Sequence, residues 1–312
     1  MPLFDILTRS SQKENKIQNE LSFPDPMYSL SVKREKIIVG TYMKQSNDNC
    51  VYYEGRKFFH RLPPSKIGWS HRLDDTTLFA STTTSLRVWK TTEEKPLLKL
   101  QTSSKAASST PGVPSPLTSF DWNPVQNHKI ATSALDTTIS IWDTEKGKMD
   151  TQLIAHDKGV FDVAYGDAYQ FASVSEDGSL RLFDSRDLDH STIIYEGPSP
   201  MLRVYWNTTR APNFLATIGL ESKEINYFDL RKSGFIAGTL QCPSFPNALS
   251  WSGNLLAAGL SDGSSIVFDL LSGTTQMLDL RHNEPVSNIS WINEGSSLAM
   301  VHGNRVSIRS LN

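Results

Sequence analysis

The chain has 312 residues, 38% hydrophobic, 21% charged and 10% aromatic, with 31 Lys plus Arg against 33 Asp plus Glu for a formal net charge of −2. That balance argues against a dedicated nucleic-acid binder, which carries a basic excess and a basic stripe. Two cysteines, Cys50 and Cys242, make neither a disulfide framework nor a four-ligand zinc site, which sets a reducing compartment as the default, and no apolar run approaches the roughly 18 residues of a membrane helix.

The opening MPLFDILTRS has Asp5 inside its only apolar patch and no basic leader, so it reads as a poor secretory signal. Without such a signal the sequon Asn207-Thr208-Thr209 is read as coincidental. Beyond it, YSLSV (28–32), KIIVGTY (36–42) and CVYY (50–53) read as strands of a first unit. Trp69, Trp122, Trp206, Trp251 and Trp291 then each close a short alternating run, with Tyr165 in the same place, at intervals of 53, 43, 41, 45 and 40 residues. A second landmark drifts with the first. Trp89, Trp142, Phe183, Phe228 and Phe268 end the phrases SLRVWK, TISIWD, SLRLFD, EINYFD and SSIVFD at intervals of 53, 41, 45 and 40. SSLAMV (296–301) and RVSIR (305–309) form a last unit.

Offsets inside the unit are fixed as well. Ala131, Ala172 and Ala257 lie eleven residues before their aromatic, and Asp136, Asp177 and Asp262 lie six before it. Each Asp sits between two β-rich runs, and Gly178 and Gly263 follow two of them, which is turn chemistry. Seven four-stranded units of a little over forty residues match the signature of an all-β, seven-bladed propeller. A single propeller spanning residues 1–312 is expected. Its last blade lacks an outer strand, which NKIQNEL (15–21) can supply from the N-terminal side. The longest interval holds the Ser- and Pro-rich stretch 101–116, expected to be a mobile surface loop. Thr110-Pro111 and Ser115-Pro116 within it have the form of proline-directed kinase sites, although a plain spacer is the favoured reading.

Few motifs offer catalysis. Gly259-Leu260-Ser261-Asp262-Gly263 has the spacing of a nucleophile elbow, but a strand rather than a helix follows, so a hairpin turn is expected. No two of the seven histidines stand three or four apart, which leaves no helical zinc pattern. No glycine run resembles a phosphate loop, and no cofactor is implied. Asp136, Asp177, Asp262 and Trp142 are assigned to the repeat's own hydrogen bonding, with His156, Ser173 and Asp177 forming a buried set in the fourth blade. Two further phrases, Phe183-Asp184-Ser185-Arg186 and Phe228-Asp229-Leu230-Arg231, put Arg two residues past the blade-ending Asp in consecutive blades. An exposed Arg there can fork onto a partner carboxylate or pair with its own blade's Asp; both readings stand at this point.

The phrases LTSFDWN (117–123), LDTTISIWD (135–143), TQLIAHDKGVFDVAY (151–165), FASVSEDGSLRLFDSRDLDHSTIIYE (171–196), MLRVYWN (201–207) and NFLATIG (213–219) resemble the Transparent Testa Glabra and Anthocyanin-11 family of WD-repeat proteins. The likeness is densest from 117 to 219, collinear at YSLSV, LRVWK and VSNISWI, and thin from 220 to 251. It implies a non-enzymatic scaffold, monomeric, at work in cytoplasm and nucleus. Its implied partners are kinases of the dual-specificity (DYRK) and homeodomain-interacting (HIPK) groups, transcription factors, and the propeller adaptor of the cullin-4 ubiquitin ligase, with no direct nucleic-acid or membrane contact. The alternative function is a substrate receptor of that ligase. Arg186 and Arg231 match the arginine of the adaptor-docking phrase aromatic-Asp-x-Arg. His156, Asp157, His190 and Arg203 complete the candidate protein-binding residues.

Overall fold

The computed structural model describes residues 19–43, 47–72, 77–102, 114–208, 213–232, 236–278, 282–292 and 295–311. Its strands form seven four-stranded antiparallel sheets, and no α-helix occurs among the described residues. The fold is therefore the all-β, seven-bladed propeller that the repeat predicts. The chain divides into two compact units, residues 65–246 and residues 1–64 with 247–312.

The unit holding both ends of the chain carries three blades, with strands numbered in chain order. The first blade is β2 (Met27–Lys33), β3 (Lys36–Thr41), β4 (Asn49–Tyr53) and β5 (Arg56–His60). The sixth is β22 (Pro246–Ser252), β23 (Leu255–Leu260), β24 (Ser265–Asp269) and β25 (Thr274–Leu278). The seventh joins β26 (Val286–Ile292), β27 (Ser297–His302) and β28 (Arg305–Ser310) to β1 (Asn19–Ser22). β1 runs antiparallel to β28, with Asn19 opposite Ile308 and Ser22 opposite Arg305. The missing outer strand does come from the N-terminal side; residues 15–18 of the expected segment lie outside the described residues.

The 65–246 unit carries four blades. They are β6 (Lys66–Trp69), β7 (Leu78–Thr82), β8 (Leu86–Lys90) and β9 (Leu98–Leu100); then β10 (Leu117–Trp122), β11 (Lys129–Ala134), β12 (Thr138–Asp143) and β13 (Lys148–Ile154). Next come β14 (Val160–Tyr165), β15 (Gln170–Ser175), β16 (Ser179–Asp184) and β17 (Asp187–Glu196), and last β18 (Met201–Trp206), β19 (Phe214–Gly219), β20 (Glu224–Asp229) and β21 (Ile236–Gln241). Of the 101–116 stretch, residues 103–113, Thr110-Pro111 among them, lie outside the described residues.

The two landmarks have separate packing roles. The aromatic ending each third strand sits opposite an apolar residue of the second: Phe79 with Trp89, Phe171 with Phe183, Leu215 with Phe228, Leu256 with Phe268. Cross-strand pairs of this kind are the unit of sheet stability. The Phe171 and Phe183 rings stack 5.1 Å apart. The alanine eleven residues earlier is small because the next blade's first strand packs there. Ala131 shares a buried cluster with Val160 and Val163, Ala172 with Val204 and Trp206, and Ala257 with Val286 and Ile289. The tryptophans that close the first strands reach the preceding blade. Trp122 Nε1 donates to the Gly68 carbonyl at 3.3 Å, and Trp291 Nε1 to the Ser250 carbonyl at 2.9 Å.

Candidate functional site

The repeat aspartates sit in the hairpin turns between second and third strands. Asp177 Oδ1 accepts the Ser179 main-chain N–H at 2.9 Å and its hydroxyl at 2.7 Å; Asp262 does the same with Ser264 at 3.0 and 2.6 Å. Asp136 Oδ1 accepts the Thr138 hydroxyl at 2.7 Å. The following residue takes the left-handed region, with φ of 72° at Thr137 and 82° at both Gly178 and Gly263. The supposed nucleophile elbow at Ser261 lies between β23 and β24 and is such a hairpin. At the same end of the third blade, Ser115 Oγ accepts the Asp136 N–H at 3.1 Å.

His156 occupies the loop between β13 and β14, fully buried. Its Nδ1 lies 3.0 Å from Asp177 Oδ2 and its Nε2 2.7 Å from Ser173 Oγ. An ionised carboxylate only accepts, so Nδ1 carries the proton and Nε2 accepts from the serine hydroxyl. Burial pushes the imidazole down to about 4 despite Asp177 beside it, so it is neutral near pH 7. Asp177 is pushed up by burial, but the Ser179 hydroxyl and main-chain donors outweigh this and hold it down at about 2. Blade three uses the other half of such a set: Trp142 Nε1 donates to Thr132 Oγ1 at 2.8 Å. Phe183 replaces the tryptophan in blade four, which leaves Ser173 for His156.

Arg181 was absent from the sequence-derived candidates. Its Nη1 donates to the Ala155 carbonyl at 3.1 Å and its Nη2 to Asp157 Oδ2 at 2.9 Å, beside Asp177 at 3.5 Å. It thereby brings Asp157, 84% exposed, into the His156 network. The sequence offers one signal, an arginine two residues past the turn serine.

Arg186 and Arg231 lie at the opposite end of their blades, just past β16 and β20. Each forks onto its own blade's aspartate. Arg186 Nε donates to Asp184 Oδ1 at 2.9 Å and Nη2 to Oδ2 at 2.5 Å. Arg231 makes the same two bonds to Asp229, both at 2.8 Å. The intrablade pair is therefore what forms, yet the arginines remain 63% and 62% exposed. The forks hold Asp184 down at about 2 and lower Asp229 as well. An aromatic ring lies under each guanidinium: Tyr169 at 4.7 Å from Arg186 and Phe214 at 5.7 Å from Arg231.

Beside Arg186 opens a cleft of about 590 Å³ between blades three and four. Tyr165 and Ile141 line it, β13 contributes Asp150, and Asp187, Leu188 and Asp189 contribute another wall. Asp187 pairs with Asp184 and Ser191 with Phe183, so residues 188–190 leave the ladder as a bulge. Leu188 turns inward onto the cluster of Ile141 and Leu153. Lys129, in the cleft, is held by Asp143 at 3.1 Å and by Asp150; burial lowers its pKa, but the two carboxylates outweigh it and raise the net value.

His190 is an exposed member of that bulge, and Arg203 lies half-buried on β18; the contacts described above bring neither into the two arginine sets. Asp162, buried on β14, spends its oxygens on Ser119, on Lys66 at 3.3 Å and on the Val204 N–H at 3.2 Å. Among the described residues no three His, Cys, Asp or Glu side chains group as a metal site. Cys50 and Cys242 are buried free thiols, each pushed up by burial, Cys242 to about 12.

The family model described as WD domain, G-beta repeat matches residues 108–143 and 147–184, which are blades three and four. A Dictyostelium discoideum protein described as DDB1- and CUL4-associated factor 7 homolog is 39% identical over 250 residues, 75% of each chain. A WD repeat-containing protein of Schizosaccharomyces pombe is 38% identical over 60% of this chain, and one of Saccharomyces cerevisiae 35% identical over 54%. The matches span 48% and 39% of those two yeast proteins, so this chain corresponds to less than half of each. With seven blades, two matched repeats and a relative of this identity along three quarters of its length, the chain belongs to the WD-repeat family of the DDB1- and CUL4-associated factor 7 homolog.

Proposed function

We propose that this protein is a non-catalytic interaction scaffold, active in cytoplasm and nucleus, that brings together DYRK- and HIPK-type kinases and transcription regulators. The observation that carries the reading is the use made of charged side chains. Asp136, Asp177 and Asp262 bond into turns, and His156 is buried and neutral. Meanwhile an arginine–carboxylate pair with one exposed member, Asp157 at one end and Arg186 at the other, stands at each end of blade four. Rigid strands ending in polar loops suit protein binding. The kinase and transcription-factor clients rest on the family resemblance.

A second reading, compatible with the first, is a substrate receptor of the cullin-4 ligase. The twin Asp–Arg forks at matching ends of blades four and five favour it, as does the description of the Dictyostelium relative. Affinity purification of the tagged chain from its own cells tests both, with wild type beside the Arg186→Ala, Arg231→Ala double variant. Kinases and transcription regulators are expected with both proteins, and the adaptor with wild type alone. Recovery of neither class from folded wild type would overturn the scaffold; adaptor retained by the variant would overturn docking through the forks.

A further inference from the structure

The two forks are part of a larger repeated constellation. Tyr169, Asp184 and Arg186 have the same sequence spacing as Phe214, Asp229 and Arg231. The ladders place the rings differently. Gln170 stands opposite Asp184, so Tyr169 reaches Arg186 from the turn before β15, whereas Phe214 itself stands opposite Asp229 on β19. Two different backbone routes deliver an aromatic face to the same guanidinium position. Blades three and six lack the arrangement: Asp143 is followed by Glu145 and bonds Lys129 and Lys146, and Asp269 is followed by Leu271.

The chemistry of the remaining edge follows from what is used. In each arginine Nε and Nη2 face the aspartate, one ring face is covered, and Nη1 has no partner among the described residues. Its two N–H donors and the second Nη2 hydrogen point away from the aspartate. The charge is already balanced by that carboxylate. A partner carboxylate would add a second negative charge at each fork, and Asp167 already acts on Arg186. A neutral acceptor meets no such cost.

We infer that Tyr169 and Phe214 are positioning residues of a two-point docking surface, and that the charge-balanced Arg186 and Arg231 forks they hold take main-chain carbonyl oxygens of the partner. This rests on the cullin-4 receptor reading above.

The test uses the full chain and purified cullin-4 adaptor protein (DDB1) as probe, with affinity measured by calorimetry. Tyr169→Leu with Phe214→Leu should weaken binding about 5-fold or more, from about 2- to 5-fold per lost cation–π contact, at unchanged melting temperature. Tyr169→Phe should bind within about twofold of wild type, because the ring remains. Arg186→Lys with Arg231→Lys should bind as poorly as the alanine pair, since a lysine carries the charge without the fork. The loss caused by the alanine pair should change by no more than about twofold between low and high salt. Wild-type binding that is indifferent to the leucine pair, or kept by the lysine pair, overturns the inference alone. A loss that shrinks several-fold in salt identifies a partner carboxylate and overturns the carbonyl assignment. No binding by wild type overturns the receptor reading and the inference with it.

Discussion

His156 is buried among Ser173, Asp177 and Ser179 and held neutral, with burial taking it down to about 4. In the unfolded chain an imidazole titrates near 6.5. The folded state therefore binds fewer protons than the unfolded state between those values. The stability that this site contributes is complete above about pH 6.5 and is lost as pH falls toward 4, at up to about 1.4 kcal/mol per pH unit. His302, stacked 3.6 Å from His282 and also near 4, adds a loss in the same window. Urea midpoints at about pH 7 and about pH 4.5 should differ by more in wild type than in His156→Gln, which has no imidazole to titrate. An equal difference in the two proteins would show that the depressed imidazole is not what the acid acts on. The His156 set was readable from its repeat position. Arg181, Tyr169 and Phe214 were not, because each acts through a partner 17 to 26 residues away, Ala155 and Asp157 for Arg181 and the forked arginines for the rings, and only the ladder register brings them together.

At the scale of the element, period-two alternation and fixed offsets were enough to place most strands, because one strand face meets the preceding blade and the other meets the next, as Phe171 and Ala172 do in blade four. The bulge at 188–190 was not legible: it breaks the ladder without a glycine or proline to announce it. β1 is the element to test. It has four residues, yet it covers the free edge of β28, places Leu21 against the cluster of Met27, Val301 and Val306, and pairs Glu20 with Arg305 at 3.2 Å. Removing residues 1–22 uncovers a six-residue edge, β28, with unpaired N–H and C=O groups. The truncated chain is expected to melt lower than the full chain and to scatter light on heating where the full chain stays clear. Equal melting temperatures and clear solutions would show that β1 adds nothing to the seventh blade.

Within each unit, successive blades are joined by the residues that close the first strands. Trp122 bonds Gly68, Trp291 bonds Ser250, and the indole of Trp206 lies directly on Gly166. A position that receives a whole indole has room for no side chain. The forty-residue rhythm of tryptophans was visible in the sequence, but what each tryptophan lies against was not, since the receiving residue is one repeat back and is marked only by being small. Gly166 gives the sharpest test of this joint. A Cβ built there overlaps the six-membered ring of the Trp206 indole, and Trp206 is buried at 8% exposure with Val204 and Leu215 around it, so it cannot swing aside freely. Gly219, at the end of β19, is the control, because its Cβ would find its nearest neighbour at an ordinary 3.6 Å from Ser222. Gly166→Ala is expected to cost about 1–3 kcal/mol as an overpacked core site, read as a shift of the urea midpoint, while Gly219→Ala stays within about 0.5 kcal/mol. If the two variants unfold at the same urea concentration, the indole does not lock blade five onto blade four, and the tryptophan rhythm serves each blade alone.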